Sequence, residues 1–115
     1  MKDTTSRSGQ AGSAGTAVRF AAAARALGEA ARARALTVPA FRSPPRLGGV
    51  DRTIRRRRDG GATIAIHLKD RPWPAVLADM VEGVVVANGL DGADAMRVRT
   101  ALWAALDDDH EADAA

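Results

Sequence analysis

The sequence predicts an α+β fold: an N-terminal helix, a basic two-stranded β-hairpin, and two C-terminal helices packed on the hairpin. Three observations lead there. An alanine-rich segment carries apolar residues at helical spacing as far as Leu36. The stretch Thr63-Ile64-Ala65-Ile66-His67-Leu68 alternates strictly, directly after the turn residues Asp59-Gly60-Gly61. Val76, Leu77, Met80, Val81, Val84 and Val85 then form two adjacent rows on one helical face.

The first helix is expected from about residue 16 to Leu36. Phe20, Ala24, Leu27 and Ala31 make its buried stripe. The stripe is mostly alanine, so the helix can approach a partner closely while burying little area per residue. Residues 38–49, VPAFRSPPRLGG, hold three prolines and two glycines, which forbid a regular helix. This segment is expected to be an extended connector, pinned to the body by Val38, Phe41 and Leu47.

Arg52–Arg58 and Ala62–Leu68 are expected to pair as a hairpin. A three-residue loop, Asp59-Gly60-Gly61, sets Ile54 opposite Ile66 and Arg56 opposite Ile64. Ile54 then joins the apolar face, and Thr53, Arg55, Arg57, Thr63, Ala65 and His67 occupy the other. The second helix begins near Pro72–Pro74, since proline is tolerated in a first turn, and stops at Asn88-Gly89. Asp91 reads as the N-cap of a third helix to about Leu106, with Asp94 favourable for its dipole. Gly83 inside the second helix invites close approach of another backbone, such as that of a second copy.

Length and composition bound the rest. With 115 residues the chain makes one domain. Residues 1–15 and 107–115 carry too little apolar surface to offset the entropy of ordering them. They are expected to be disordered tails around a single domain, 16–106, of a size that oligomerisation would help to stabilise. A homodimer is the expected state. There is no cysteine, which excludes disulfides and thiolate zinc sites and makes a reducing cytoplasm the expected compartment. No stretch approaches the roughly 20 apolar residues of a membrane span, and the N-terminus lacks the apolar run of a signal peptide.

Charge is distributed unevenly. Residues 1–58 hold 13 Lys or Arg against three acids, a net of +10; residues 59–115 hold four against 11, a net of −7. Four consecutive arginines, Arg55, Arg56, Arg57 and Arg58, repel one another and call for solvent, acids or a polyanion nearby. Guanidinium forks suit phosphate oxygens, and a two-stranded ribbon fits a major groove. The expected function is therefore non-enzymatic binding of nucleic acid or another polyanion, with Arg52, Arg46 and Arg42 extending the track. Thr63 and His67 are candidate contacts beside it. Against this stands the plain alternative of a solvated edge strand kept from aggregating by its charges. A GC-rich coding bias also inflates arginine.

A different class of function is a protein-interaction adaptor or assembly subunit. The second and third helices would meet the partner through Val85 and Trp103, and the arginines would only solubilise. The acidic tail is read as a solubilising end, or as an internal competitor for the arginine strand. His67 and His110 lack metal-ligand spacing, so no metal or cofactor is expected. No nucleophile accompanies Asp79 and Glu82, and Gly60-Gly61 lacks the Lys-Ser/Thr of a phosphate loop. No catalytic constellation can be assembled, and no enzyme is expected.

The order strand, helix, turn, helix over 62–106 resembles the ribbon-helix-helix family of dimeric DNA-binding proteins. The resemblance rests on the alternating strand 63–68, the helix ending Asn88-Gly89-Leu90, and Ala93, Arg97 and Ala101 in the following helix. It implies that outward strand residues, here Thr63, Ala65 and His67, enter a major groove as part of a sheet shared by two subunits. In this chain the preceding arginine strand can supply the second strand itself. The segments FRSPPR and ADMVEGVVVANGL resemble those of small Ala/Arg-rich proteins of GC-rich actinobacteria, which implies no activity.

Overall fold

The computed structural model describes residues 4–114, with side chains described for 15–107. The chain is α+β, in the order α1 (Thr4–Ala33), β1 (Ala40–Arg42), β2 (Arg52–Arg56), β3 (Ala62–Ile66), α2 (Trp73–Ala87) and α3 (Gly92–Ala114). The expected tails fall almost wholly on residues whose side chains lie outside the described ones. The backbone of 4–14 continues α1, and that of 108–114 continues α3. His110 is among those undescribed side chains. Among the described residues no helix is long and apolar enough to cross a membrane.

The sheet has three strands and not two, in the order β1-β3-β2. The third comes from the connector. Ala40–Arg42 runs parallel to β3, with Phe41 beside Ile64. A parallel neighbour needs a long crossover, here supplied by the passage through β2. Phe41 holds the strand down by an edge-to-face contact with Phe20 of α1, centroids 6.3 Å apart. β3 therefore has a neighbour on each side within the same chain. It offers no free edge to a partner's strand, unlike the shared sheet that the ribbon-helix-helix resemblance implied.

The hairpin register differs from expectation by two residues: Ile54 pairs with Ile64, Arg52 with Ile66 and Arg56 with Ala62. The loop is still three residues long but sits one position earlier. Arg57 N–H donates to the Gly61 carbonyl at 2.8 Å, which encloses Arg58, Asp59 and Gly60. Gly60 adopts φ +90°, the conformation that glycine takes without steric cost. The Asp59 carboxylate fixes this choice by accepting from Gly61 N–H at 2.9 Å. A shift of two preserves side-chain parity, so Ile54, Ile64 and Ile66 still share one face.

α2 lies against that face of β2 and β3, and α3 packs on α1 and α2. The core between them contains Leu27 and Ala31 of α1, Ile64 and Ile66 of β3, Val76, Met80, Val81 and Val84 of α2, and Leu102 of α3. The space at Gly83 is filled from within. A methyl group added there would stand 2.8 Å from Ile64 Cδ1 and 2.9 Å from its Cγ2, so the glycine admits this chain's own sheet and not a second copy. Asn88 closes the connector onto α2: its side chain accepts from Thr37 N–H at 2.8 Å and donates to the Val84 carbonyl at 3.0 Å.

Candidate nucleic-acid interface

Strand alternation divides the arginine run. Arg52 and Arg56 share the face of the buried Ile64 and Ile66, and each turns toward α2. Arg52 donates to Asp79 Oδ1 at 3.0 Å. Arg56 donates to the carbonyls of Ala87 at 2.9 Å and Val86 at 3.2 Å. There it meets the negative end of the helix dipole, donating to the Ala87 carbonyl at the helix end and adding a second donor to the Val86 carbonyl, which also accepts from Gly89 N–H at 3.0 Å. These two arginines hold the hairpin to α2. The sequence placed them in the binding track; the structure commits them to the fold.

Arg57 is committed too. Its Nε lies 3.2 Å from Asp59 Oδ1 across the loop. Gly61 N–H first, and then the Arg57 guanidinium, hold the Asp59 carboxyl below its ordinary range.

The opposite face of the sheet carries Thr53 and Arg55 of β2, Thr63 and Ala65 of β3, and Ala40 and Arg42 of β1. No helix among the described residues packs on it. Arg55 and Arg42 are exposed at its two edges; Thr63 and Ala65, half-buried, form a low ridge between them. From the register the two arginine Cα atoms stand about 12 Å apart, too far for one phosphate to bridge. Arg58 extends the face at the hairpin loop and Arg46 beyond β1. Arg42, Arg46, Arg55 and Arg58 form no ion pair among the described residues. His67, one residue past β3, donates its backbone N–H to the Asp51 carbonyl at 2.9 Å and marks the far end of the face.

The face bears no aromatic side chain, so it contains no platform on which bases stack. Its chemistry is that of spaced guanidiniums over small hydroxyl and methyl groups, suited to phosphate oxygens without reading a sequence.

The two residues expected to meet a protein partner are placed differently. Val85 is 2 % exposed, buried inside this chain; Val86 is its exposed neighbour. Trp103 is half-buried and packs on the core cluster. Where α2 meets α3, Arg99 grips Glu82 with two hydrogen bonds, Nε to Oε2 at 2.5 Å and Nη2 to Oε1 at 3.0 Å. The Arg99 guanidinium lowers the Glu82 carboxyl, and Glu82 raises Arg99.

Sequence reasoning missed one group of residues. Beyond the carboxyl ends of β1 and β3 lies an open cleft of about 1110 Å³. Arg19, Arg46, His67, Lys69, Arg71 and Trp73 line it. They come from three separate stretches of sequence, and only Arg46 and His67 were candidates. The preference of ligands for the carboxyl ends of parallel strands was not usable while β1 was read as a connector.

In comparisons with protein-family models, curated proteins and solved structures, nothing matches this chain.

Proposed function

We propose that the protein is a small non-enzymatic binding protein that contacts nucleic acid through the outer face of its sheet. One observation carries this reading. Arg42 and Arg55 flank an uncovered face with no carboxylate partner among the described residues, while the nearby acids Asp79, Asp59 and Asp51 are already engaged by Arg52, Arg57 and Arg71. Phosphates on a polyanion would supply the missing countercharge. Arg46 and Arg58 prolong the track at either end, and Thr53 and Thr63 offer hydroxyls between its edges. The contacts are to backbone and not to bases, so binding is insensitive to sequence.

The test is fluorescence anisotropy with a labelled DNA duplex at low salt. The Arg42→Glu/Arg55→Glu variant should lose at least tenfold in affinity. Arg25→Glu/Arg32→Glu, an equal charge change on exposed α1, should lose little. Equal losses in both variants would mean that the protein responds only to net charge, and would remove the face from the account.

The rival reading is a protein-interaction subunit that uses α2 and α3. It is weakened by the burial of Val85. It predicts a complex that persists at high salt and dissociates on Trp103→Ala.

A further inference from the structure

We propose that the cleft beyond β1 and β3 binds a phosphomonoester dianion that carries an organic group of about nucleoside size. The cleft adjoins the far end of the sheet face and shares Arg46 with it, but the inference stands on the cleft's own lining and does not rest on the reading of that face.

The first argument is charge. Arg71 is spent inside the fold: it donates to the His67 carbonyl at 2.9 Å and pairs with Asp79. Among the described residues Arg19, Arg46 and Lys69 form no ion pair, and Asp70 is the only acid that lines the cleft. The open cations therefore exceed the acid by two charges. Gathering them around one concavity is unfavourable in itself, and a doubly charged anion removes the cost.

Placement is the second argument. The cleft opens where the parallel strands β1 and β3 end and where α2 begins, and the first turn of α2 carries no acidic residue. The positive end of the α2 dipole thus adds to the side-chain field. Arg19 is positioned by a cation–π contact, its guanidinium carbon 4.5 Å from the Trp73 ring centroid.

Size is the third. A volume of about 1110 Å³ far exceeds a phosphate ion and falls near the upper range of small-molecule sites. Pro44 and Leu68 give the wall apolar surface against which a sugar or base can lie.

A terminal phosphomonoester is found on a free mononucleotide and on the 5′ end of a nucleic acid strand, and calorimetry separates the two. The full chain is titrated with AMP, with inorganic phosphate, and with two single strands of one sequence, 5′-phosphorylated and 5′-hydroxyl. AMP should bind, phosphate should compete with it, and the Arg46→Ser/Lys69→Ala variant should weaken AMP at least tenfold with an unchanged circular dichroism spectrum. Arg55→Glu/Arg58→Glu, at the other end of the sheet, should leave AMP binding intact even if it abolishes duplex binding. A gain from the 5′-phosphate that the cleft variant loses identifies strand ends as the source; AMP binding without such a gain identifies a free phosphoester. The proposal is overturned if AMP, phosphate and the 5′-phosphate all have no effect, or if the cleft variant binds AMP as wild type does.

Discussion

Arg56 and Ala87 are joined by a 2.9 Å hydrogen bond from guanidinium to carbonyl, which ties the middle of the arginine run to the last turn of α2. Adjacent Arg55 faces the other way and pairs with no acid among the described residues. Two neighbours of identical chemistry thus do opposite work. Replacing Arg56 by Ala should lower stability by about 1 kcal/mol, through lost hydrogen bonds at a partly exposed helix end. Duplex affinity should stay within about twofold of wild type. Arg55→Ala should do the reverse, with little change in urea midpoint and a clear loss of affinity. Equal behaviour of the two variants would contradict the division.

Gly83 and Ile64 fit together in the core, with Ile64 fully buried. Gly83→Val should destabilise by about 2–3 kcal/mol, because the new side chain collides with Ile64 where neither can move out. Trimming Ile64 to Ala should relieve part of that cost. A double-mutant cycle by urea denaturation should therefore give a coupling energy of about 1 kcal/mol or more. Additive costs would show that Gly83 faces something else.

The Arg99–Glu82 pair makes stability depend on pH in a definite direction. The folded-state value of Glu82 is depressed below its ordinary 4.5. Its contribution is thus fully present above about pH 4.5, where the unfolded group is also ionised. It is lost as pH falls below 4.5 through the lower, folded-state value. Glu82→Gln should flatten that part of the acid-stability curve, read from thermal midpoints between pH 3 and 6, and should change stability little relative to wild type at the acid end. A curve for the variant parallel to that of wild type would show that the pair contributes nothing.

The fold class was legible because its signals are local. The 62–68 alternation, the apolar rows of α2 and the Asn88-Gly89 stop each depend on residues near in sequence. Parity of the hairpin was legible as well, since placing Ile54 on the greasy face leaves only even shifts. The register itself was not, because it turned on whether Asp59 would close the loop onto Gly61 N–H, which is a side-chain choice. β1 was hidden by its three-residue length and by the prolines that flank it, Pro39, Pro44 and Pro45. Its pairing is parallel and distant, and nothing in Ala40–Arg42 alternates.

The arginines show the same limit. The run announces a charged strand, but the partners that sort it, Asp79 and the Ala87 carbonyl, lie 27 and 31 residues away. Val85 looked available because a helical wheel cannot say which rows are covered by the rest of the same chain. The cleft was out of reach for a similar reason: Arg19, Arg46 and Lys69 meet only once β1 and β3 run side by side.

The central claim is that unpaired guanidiniums on the outer sheet face meet phosphates, and the salt dependence of duplex binding tests it most directly. Four contacts, from Arg42, Arg46, Arg55 and Arg58, should give a slope of log K against log salt of roughly −3.6. Arg42→Ala/Arg55→Ala should reduce that slope by about two. A wild-type protein that fails to bind duplex at low salt, or a slope unchanged in the double variant, would contradict the account.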